Sequence, residues 1–201
     1  MIIESLFATP LIITKLDRDI TNIEKQFVKD SASSTRSNIT NSITTSHNVL
    51  DNDELKNIRR YIQANIQEYK EKILSPVHEN SLYITESWIN YTNKNQSHHR
   101  HSHDNSLISG VFYLNTVKDD AITFYKRKSG LTLSFDVKTS NNFNSMSYRL
   151  PVTDNMLILF PSDLEHEVDA NIEDKTRISL SFNVFVKGLL SDVGTTKLII
   201  K

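Results

Sequence analysis

Hydrophobic positions keep a helical period in the first part of the chain and a strand period in the rest. Leu55, Ile58, Ile62, Ile66, Tyr69 and Ile73 recur at spacings of three and four, which draws one apolar stripe along an amphipathic helix. Asp51 or Asp53 suits its N-cap, and Pro76 falls just past its end. A shorter stripe of Ile20, Ile23 and Phe27 predicts an earlier helix capped by Asp17 or Asp19. Upstream, Leu6 to Leu16 reads as a strand broken by Pro10. The segment Ser31 to Asn48 is dominated by Ser, Thr and Asn and reads as a long loop, the kind that can serve as a lid.

From Leu82 onward the period shortens to that of strands. The predicted runs are Leu82–Tyr91, Leu107–Asn115, Ala121–Lys126, Leu131–Val137, Met146–Val152, Met156–Phe160, Glu165–Asp169 and Arg177–Val186. Short strands separated by Asn, Asp, Ser and Gly turns argue for an antiparallel sandwich or barrel, braced on one side by the two helices. In the last run Ile178, Leu180, Phe182, Val184 and Val186 alternate with Arg177, Ser179, Ser181, Asn183 and Phe185. One face is apolar and should meet the helices. The other begins with a guanidinium and, two residues on, a hydroxyl. An arginine inside a barrel is costly to desolvate without an anionic partner, and its planar fork beside Ser179 suits a carboxylate. At a solvated strand edge the same arginine would carry no function.

Length and composition narrow the class. The 201 residues suit one domain spanning 1–201, with 1–81 bracing, 82–187 as the β core and 188–201 as an extension. Cysteine is absent, which excludes disulfide scaffolds, cysteine zinc sites and thiol nucleophiles. A net charge of −1 and scattered basic residues point away from nucleic acid and membranes, and Lys126-Arg127-Lys128 reads as a solvated turn. Glu4 interrupts a short apolar start with no basic leader, a poor signal peptide. No apolar run approaches the roughly 20 residues of a spanning helix, so a cytoplasmic protein is expected. A serine hydrolase is disfavoured, because no glycine-flanked serine forms a nucleophile elbow and glycine totals four.

The candidate chemistry lies in His98-His99-Arg100-His101-Ser102-His103-Asp104, which holds four of the seven histidines. Residues two apart on an extended backbone share a face, so His101 and His103 can address one ion. A second position follows in Leu157 to Val168, where a buried strand ends at Pro161 and His166 opens the next. Alone, such a histidine is usually structural. With two upstream it completes a set from separate strands, which is how open mononuclear sites are built. Asp104 reaches the same ion only if the chain bends after His103, and His99 also lies two residues from His101.

The run of His-x-His into "NSLISGVFYLN", then "LILFPSDLEHEV", then "RISLSFN" resembles the 2-oxoglutarate- and Fe(II)-dependent oxygenases, nearest to an uncharacterised phage and bacterial group. Phe7-Ala8-Thr9-Pro10 and Trp88-Ile89-Asn90 extend the resemblance, and Arg177 follows His166 at the separation used for the superfamily's Arg-x-Ser. The resemblance implies a mainly β fold with flanking helices around a double-stranded β-helix (jelly-roll, cupin-like) core. It implies Fe(II) on His101, His103 and His166, with Asp104 as the alternative third ligand, because the superfamily's usual first motif is His-x-Asp or His-x-Glu. Arg177 and Ser179 would hold the far carboxylate of 2-oxoglutarate. The implied activity is a dioxygenase using O2, a hydroxylase of an unknown substrate that releases succinate and CO2. Its setting would be cytoplasmic, in the host if phage-encoded, and a homodimer is compatible.

Tyr113, Tyr125 and Asn90 are further candidates for contact with cosubstrate or substrate, though both tyrosines suit packing equally. Asn155 stands where the family often has glycine, and Asn tolerates the positive φ of a tight turn. The rival expectation is a cupin-like metal-binding protein or metalloenzyme that does not use 2-oxoglutarate. A non-enzymatic binding or virion-associated module on the same barrel is the third.

Overall fold

The computed structural model describes residues 1–127, 136–192 and 197–201. Two antiparallel sheets carry the fold. The larger has the order β1 (Ile12–Lys15), β9 (Met156–Pro161), β6 (Ile108–Asn115), β11 (Arg177–Ser191), β4 (Asn80–Thr92), β3 (Asn41–Thr44) and β2 (Thr35–Asn38), with β12 (Leu198–Ile200) also paired to β11. The smaller has the order β5 (His98–His101), β10 (His166–Val168), β7 (Ala121–Tyr125) and β8 (Ser147–Pro151). Strand β11 is the spine, paired with β4 from Arg177↔Thr92 to Gly188↔Asn80 and with β6 on its other side.

Side-chain alternation divides the interior in two. Phe112, Leu157, Leu159, Leu180, Phe182 and Val184 face the helix α2 (Lys56–Tyr69), whose stripe of Ile58, Ile62, Ile66 and Tyr69 is buried against them. The residues between them, Val111, Tyr113, Ile158 and Phe160, face the smaller sheet and pack with Ile122, Phe124, Leu150 and Val168. Each large side chain so buried contributes about 1.5–3 kcal/mol. The apolar face of Arg177–Val186 therefore meets the helices, and its polar face lies between the sheets. Gly110 leaves the space that Phe182 fills: a Cβ there would lie 2.1 Å from Phe182 Cζ.

Several local expectations need correcting. Ser31–Asn48 is not one long loop: β2 and β3 form a hairpin whose Ser42 and Ile43 pair with Tyr91 and Asn90 of β4. Its residues are polar because Asn41 and Thr44 bury hydrogen-bonding side chains, to Thr92 Oγ1 and to the Ser46 carbonyl and Ile89 N–H, which hides the strand from a hydropathy pattern. Helix α1 (Asn22–Ser31) is capped by Thr21 and not by an aspartate, in a capping box closed by buried Glu24, which Arg18 grips with both nitrogens at 2.6 and 2.8 Å. Ile23 points to solvent and Val28 takes the inward position. Asp51 and Asp53 lie in two short 3-10 turns ahead of α2, so Leu55 occupies its N-cap with no side-chain cap.

A π-helical turn, Lys70–Leu74, ends α2 at Ser75 (φ 42°), just before Pro76. The first strand starts only at Ile12, and His98–His101 is a strand that hydropathy did not reveal. Leu131–Val137 lies mostly outside the described residues, as does Lys128 of the basic turn. Asn155 takes the expected positive φ, 68°.

Candidate metal centre

His101 and His166 are direct cross-strand partners of β5 and β10, so the register sets their rings 4.4 Å apart. His103 lies two residues past β5, where its N–H donates to the Ser162 carbonyl at 2.9 Å. Its ring is 4.9 Å from that of His101 and 5.3 Å from that of His166. One nitrogen from each of the three lies within 4.8 Å of the others. Asp104, exposed, belongs to no such group among the described residues, and His99 groups instead with His98 and His101.

The donor chemistry suits a metal. His101 Nδ1 faces the His99 carbonyl at 2.7 Å and His166 Nδ1 faces the Leu164 carbonyl at 3.0 Å. A carbonyl only accepts, so each Nδ1 carries the hydrogen and each Nε2 keeps its lone pair for an ion. Burial, then the neighbouring His101, pushes His166 down to about 3 and His103 to about 4. Burial also lowers His101. All three are neutral near pH 7, the form that binds metal.

Arg177 opens β11 and lines the same cavity, together with Ser179, Tyr113, Trp88, His98 and Glu167. It is 3% exposed, and its partner is Asp120, whose two oxygens both lie 2.9 Å from Nε. Nη1 donates to Ser179 Oγ at 3.3 Å, and the guanidinium stands 5.3 Å from the centre of the Tyr113 ring. Among the described residues no carboxylate pairs with the Nη2 end of the fork. Among the described residues Tyr113 Oη, buried in this wall, has no well-formed hydrogen bond, and burial raises its pKa against the opposing pull of Arg177. A buried polar atom left without a well-formed bond beside a guanidinium fits a site that receives a polar ligand. The cavity's free space is about 20 Å³, near that of one water, so a larger ligand enters only as lining side chains move.

The remaining candidates sit elsewhere. Asn90 is buried and donates to Ser181 Oγ at 2.9 Å, one layer behind the cavity wall. Tyr125 donates to Glu167 and lies under Arg100 at 3.7 Å, outside the lining. Asp120 was not among the residues that the sequence pattern singled out. The available signal was the buried arginine's need for an anion. Also unforeseen was a polar chain from the hairpin: Arg36 Nη2 to His47 Nε2 (2.9 Å), His47 Nδ1 to Glu86 Oε2 (3.1 Å), and Asn183 Nδ2 to Glu86 Oε1 (2.8 Å). It reaches the cavity where Ser109 Oγ donates to Asn183 Oδ1 at 2.8 Å.

Solved structures share this architecture. The epimerase SnoN of nogalamycin biosynthesis, described as non-heme and alpha-ketoglutarate-dependent, aligns with a TM-score of 0.63 at 10% identity, over 94% of this chain and 83% of that one. A prolyl-4-hydroxylase of Pseudomonas putida aligns at 0.57 and 11%, over 89% and 94%. HygX of Streptomyces hygroscopicus, solved with nickel, 2-oxoglutarate and hygromycin B, aligns at 0.56 and 10%, over 88% and 82%. Such low identity shows the fold, a double-stranded β-helix with helices on one side. No curated protein is significantly similar in sequence.

Fold and site together define a double-stranded β-helix protein with a candidate three-histidine metal centre. Residues 86–183, just under half of the chain, match the family described as "Putative 2OG-Fe(II) oxygenase". The match covers the candidate histidines, Arg177 and Ser179.

Proposed function

We propose that the chain is an Fe(II)- and 2-oxoglutarate-dependent dioxygenase that hydroxylates a substrate still to be identified, with release of succinate and CO2. His101, His103 and His166 hold the metal, and Arg177 with Ser179 holds the distal carboxylate of the keto acid. When bound, Fe(II) with 2-oxoglutarate and O2 supplies the oxidising chemistry. The chain's own residues do the rest. The two backbone carbonyls fix the His101 and His166 tautomers, Asp120 holds the guanidinium in place through Nε, and Nη2 is left for the ligand. Phe160, Val111 and Ile122 exclude water from the wall.

The convergence of three neutral imidazoles and one buried guanidinium on a single cavity supports this reading. The test is anaerobic addition of Fe(II) and 2-oxoglutarate, followed by the weak visible charge-transfer band of the chelate. The band should appear in the wild type, vanish in His166→Ala and need far more 2-oxoglutarate in Arg177→Ala. If both variants match the wild type, the site is elsewhere.

One observation favours a second reading. Arg177 already has an anionic partner in Asp120, as it would in a metalloprotein that takes no keto acid. In that case 2-oxoglutarate would not raise the melting temperature of the Fe(II)-loaded protein.

A further inference from the structure

A second set of three imidazoles stands beside the first. His98, His99 and His101 each offer a nitrogen within 4.8 Å of the others. Their ring centroids are 4.6 to 5.4 Å apart. Backbone register explains how three neighbours on one strand meet. His101 pairs with His166, but Val168 pairs with His98, so two residues of β5, His99 and Arg100, oppose the single Glu167 of β10. This is a β-bulge, and bulges re-aim side chains. Strict alternation would put His98 on the face opposite His101. The extra residue cancels that, and the two rings stack at 17°.

Two features of the set point to an ion. Among the described residues His99 Nδ1 is buried and has no hydrogen-bond partner, which a buried polar atom in a folded protein rarely tolerates. All the donors are imidazoles, with no carboxylate among them. That composition selects borderline transition ions such as Zn(II), Ni(II) or Co(II) over Mg(II) or Ca(II). His101 belongs to both sets, and its Nδ1 is tied to the His99 carbonyl at 2.7 Å. Only Nε2 remains for coordination, so it serves one ion at a time.

We propose that His98, His99 and His101 form a second, mutually exclusive position for a divalent transition ion, built by the β5 bulge and sharing His101 with the His101/His103/His166 set. An ion can reside on the outer set or the inner one, with His101 as the pivot. The inference rests on the metal-centre reading only through that shared residue. It implies that the chain binds one ion and that breaking either set leaves the other able to hold it.

The experiment is titration of the metal-free full-length chain with Co(II) alone, followed by visible absorption and by equilibrium dialysis for stoichiometry. His103→Ala, at a partly exposed position, and His166→Ala both break the inner set, so misfolding of the buried variant leaves the other. The wild type should bind one ion. Either variant should still bind one, more weakly and with an altered spectrum. Adding His98→Ala and His99→Ala to either should weaken binding about tenfold or more. No binding by both folded single variants, unchanged affinity on removing His98 and His99, or two ions in the wild type would each overturn the proposal. His98→Ala/His99→Ala alone should keep the inner ion, and failure there would count against the metal-centre reading instead.

Discussion

Replacing Asp120 with alanine leaves Arg177 charged and unpaired in the cavity wall. Both side chains are nearly sealed, at 3% and 2% exposure, and Nε lies 2.9 Å from each carboxylate oxygen. Removing one partner of such a pair costs about 3–5 kcal/mol, because the surviving charge keeps its desolvation penalty without its attraction. For a chain of this size each kcal/mol moves the melting temperature by about 2–4 °C, so the expected drop is about 6–20 °C. Thermal and urea denaturation read it directly. Removing the charge as well, in Asp120→Leu/Arg177→Met, should recover much of the loss, since an apolar pair avoids the penalty. If Arg177 also binds the keto acid, 2-oxoglutarate should raise the melting temperature of Fe(II)-loaded Asp120→Ala more than that of the wild type. A loss below about 1 kcal/mol, or a double variant as unstable as the two singles combined, would refute this account of the pair.

Acidification should weaken the metal-free fold. His166 at about 3 and His103 at about 4 lie below the ordinary 6.5, so between those values the unfolded chain takes up protons that the folded chain refuses. Stability is full above pH 6.5 and falls toward pH 3, by up to about 1.4 kcal/mol per pH unit for each group; a urea midpoint unchanged between pH 7 and 5 would contradict this. Gly110→Ala should cost about 1–3 kcal/mol in chemical denaturation, because its Cβ meets the Phe182 ring, and a neutral result would mean that the ring moves freely. Thr21→Ala should cost about 1 kcal/mol by opening the α1 cap. Burial alone would raise the Glu24 pKa, but Arg18 and Thr21 outweigh it and leave it lowered. Its contribution should therefore hold above the ordinary 4.5 and fade only below it, and Glu24→Gln should remove that acid-side slope.

Where one interaction dominates, local pattern was enough. The α2 stripe and the alternation of β6, β9 and β11 follow from burying one apolar face per element, and those faces are written in consecutive residues. Arg177 with Ser179 is legible as a pair because period two puts both on one side of β11, and the same spacing singled out His101 with His103 although His103 lies two residues past β5. The β2–β3 hairpin was not legible. Of its buried side chains only Ile43 is apolar; Asn41 and Thr44 are satisfied by Thr92 and by the Ser46 and Ile89 backbone, partners distant or invisible to a hydropathy pattern. The α1 cap turned on Thr21 and Glu24 closing a box, a contest that the nearby aspartates lost to geometry.

Tertiary structure decided what the sequence by itself left open. The sequence determined that His166 and Arg177 lie at the starts of strands in a helix-braced β sandwich. Only the pairing of β5 with β10 put His166 opposite His101, and only the bulge in that pairing turned His98 toward the same ring. Asp120 became the partner of Arg177 across 57 residues of chain. Strand periodicity fixes which side a residue takes, but register and bulges fix which distant residue it meets, and these are set by the packing of the whole sheet.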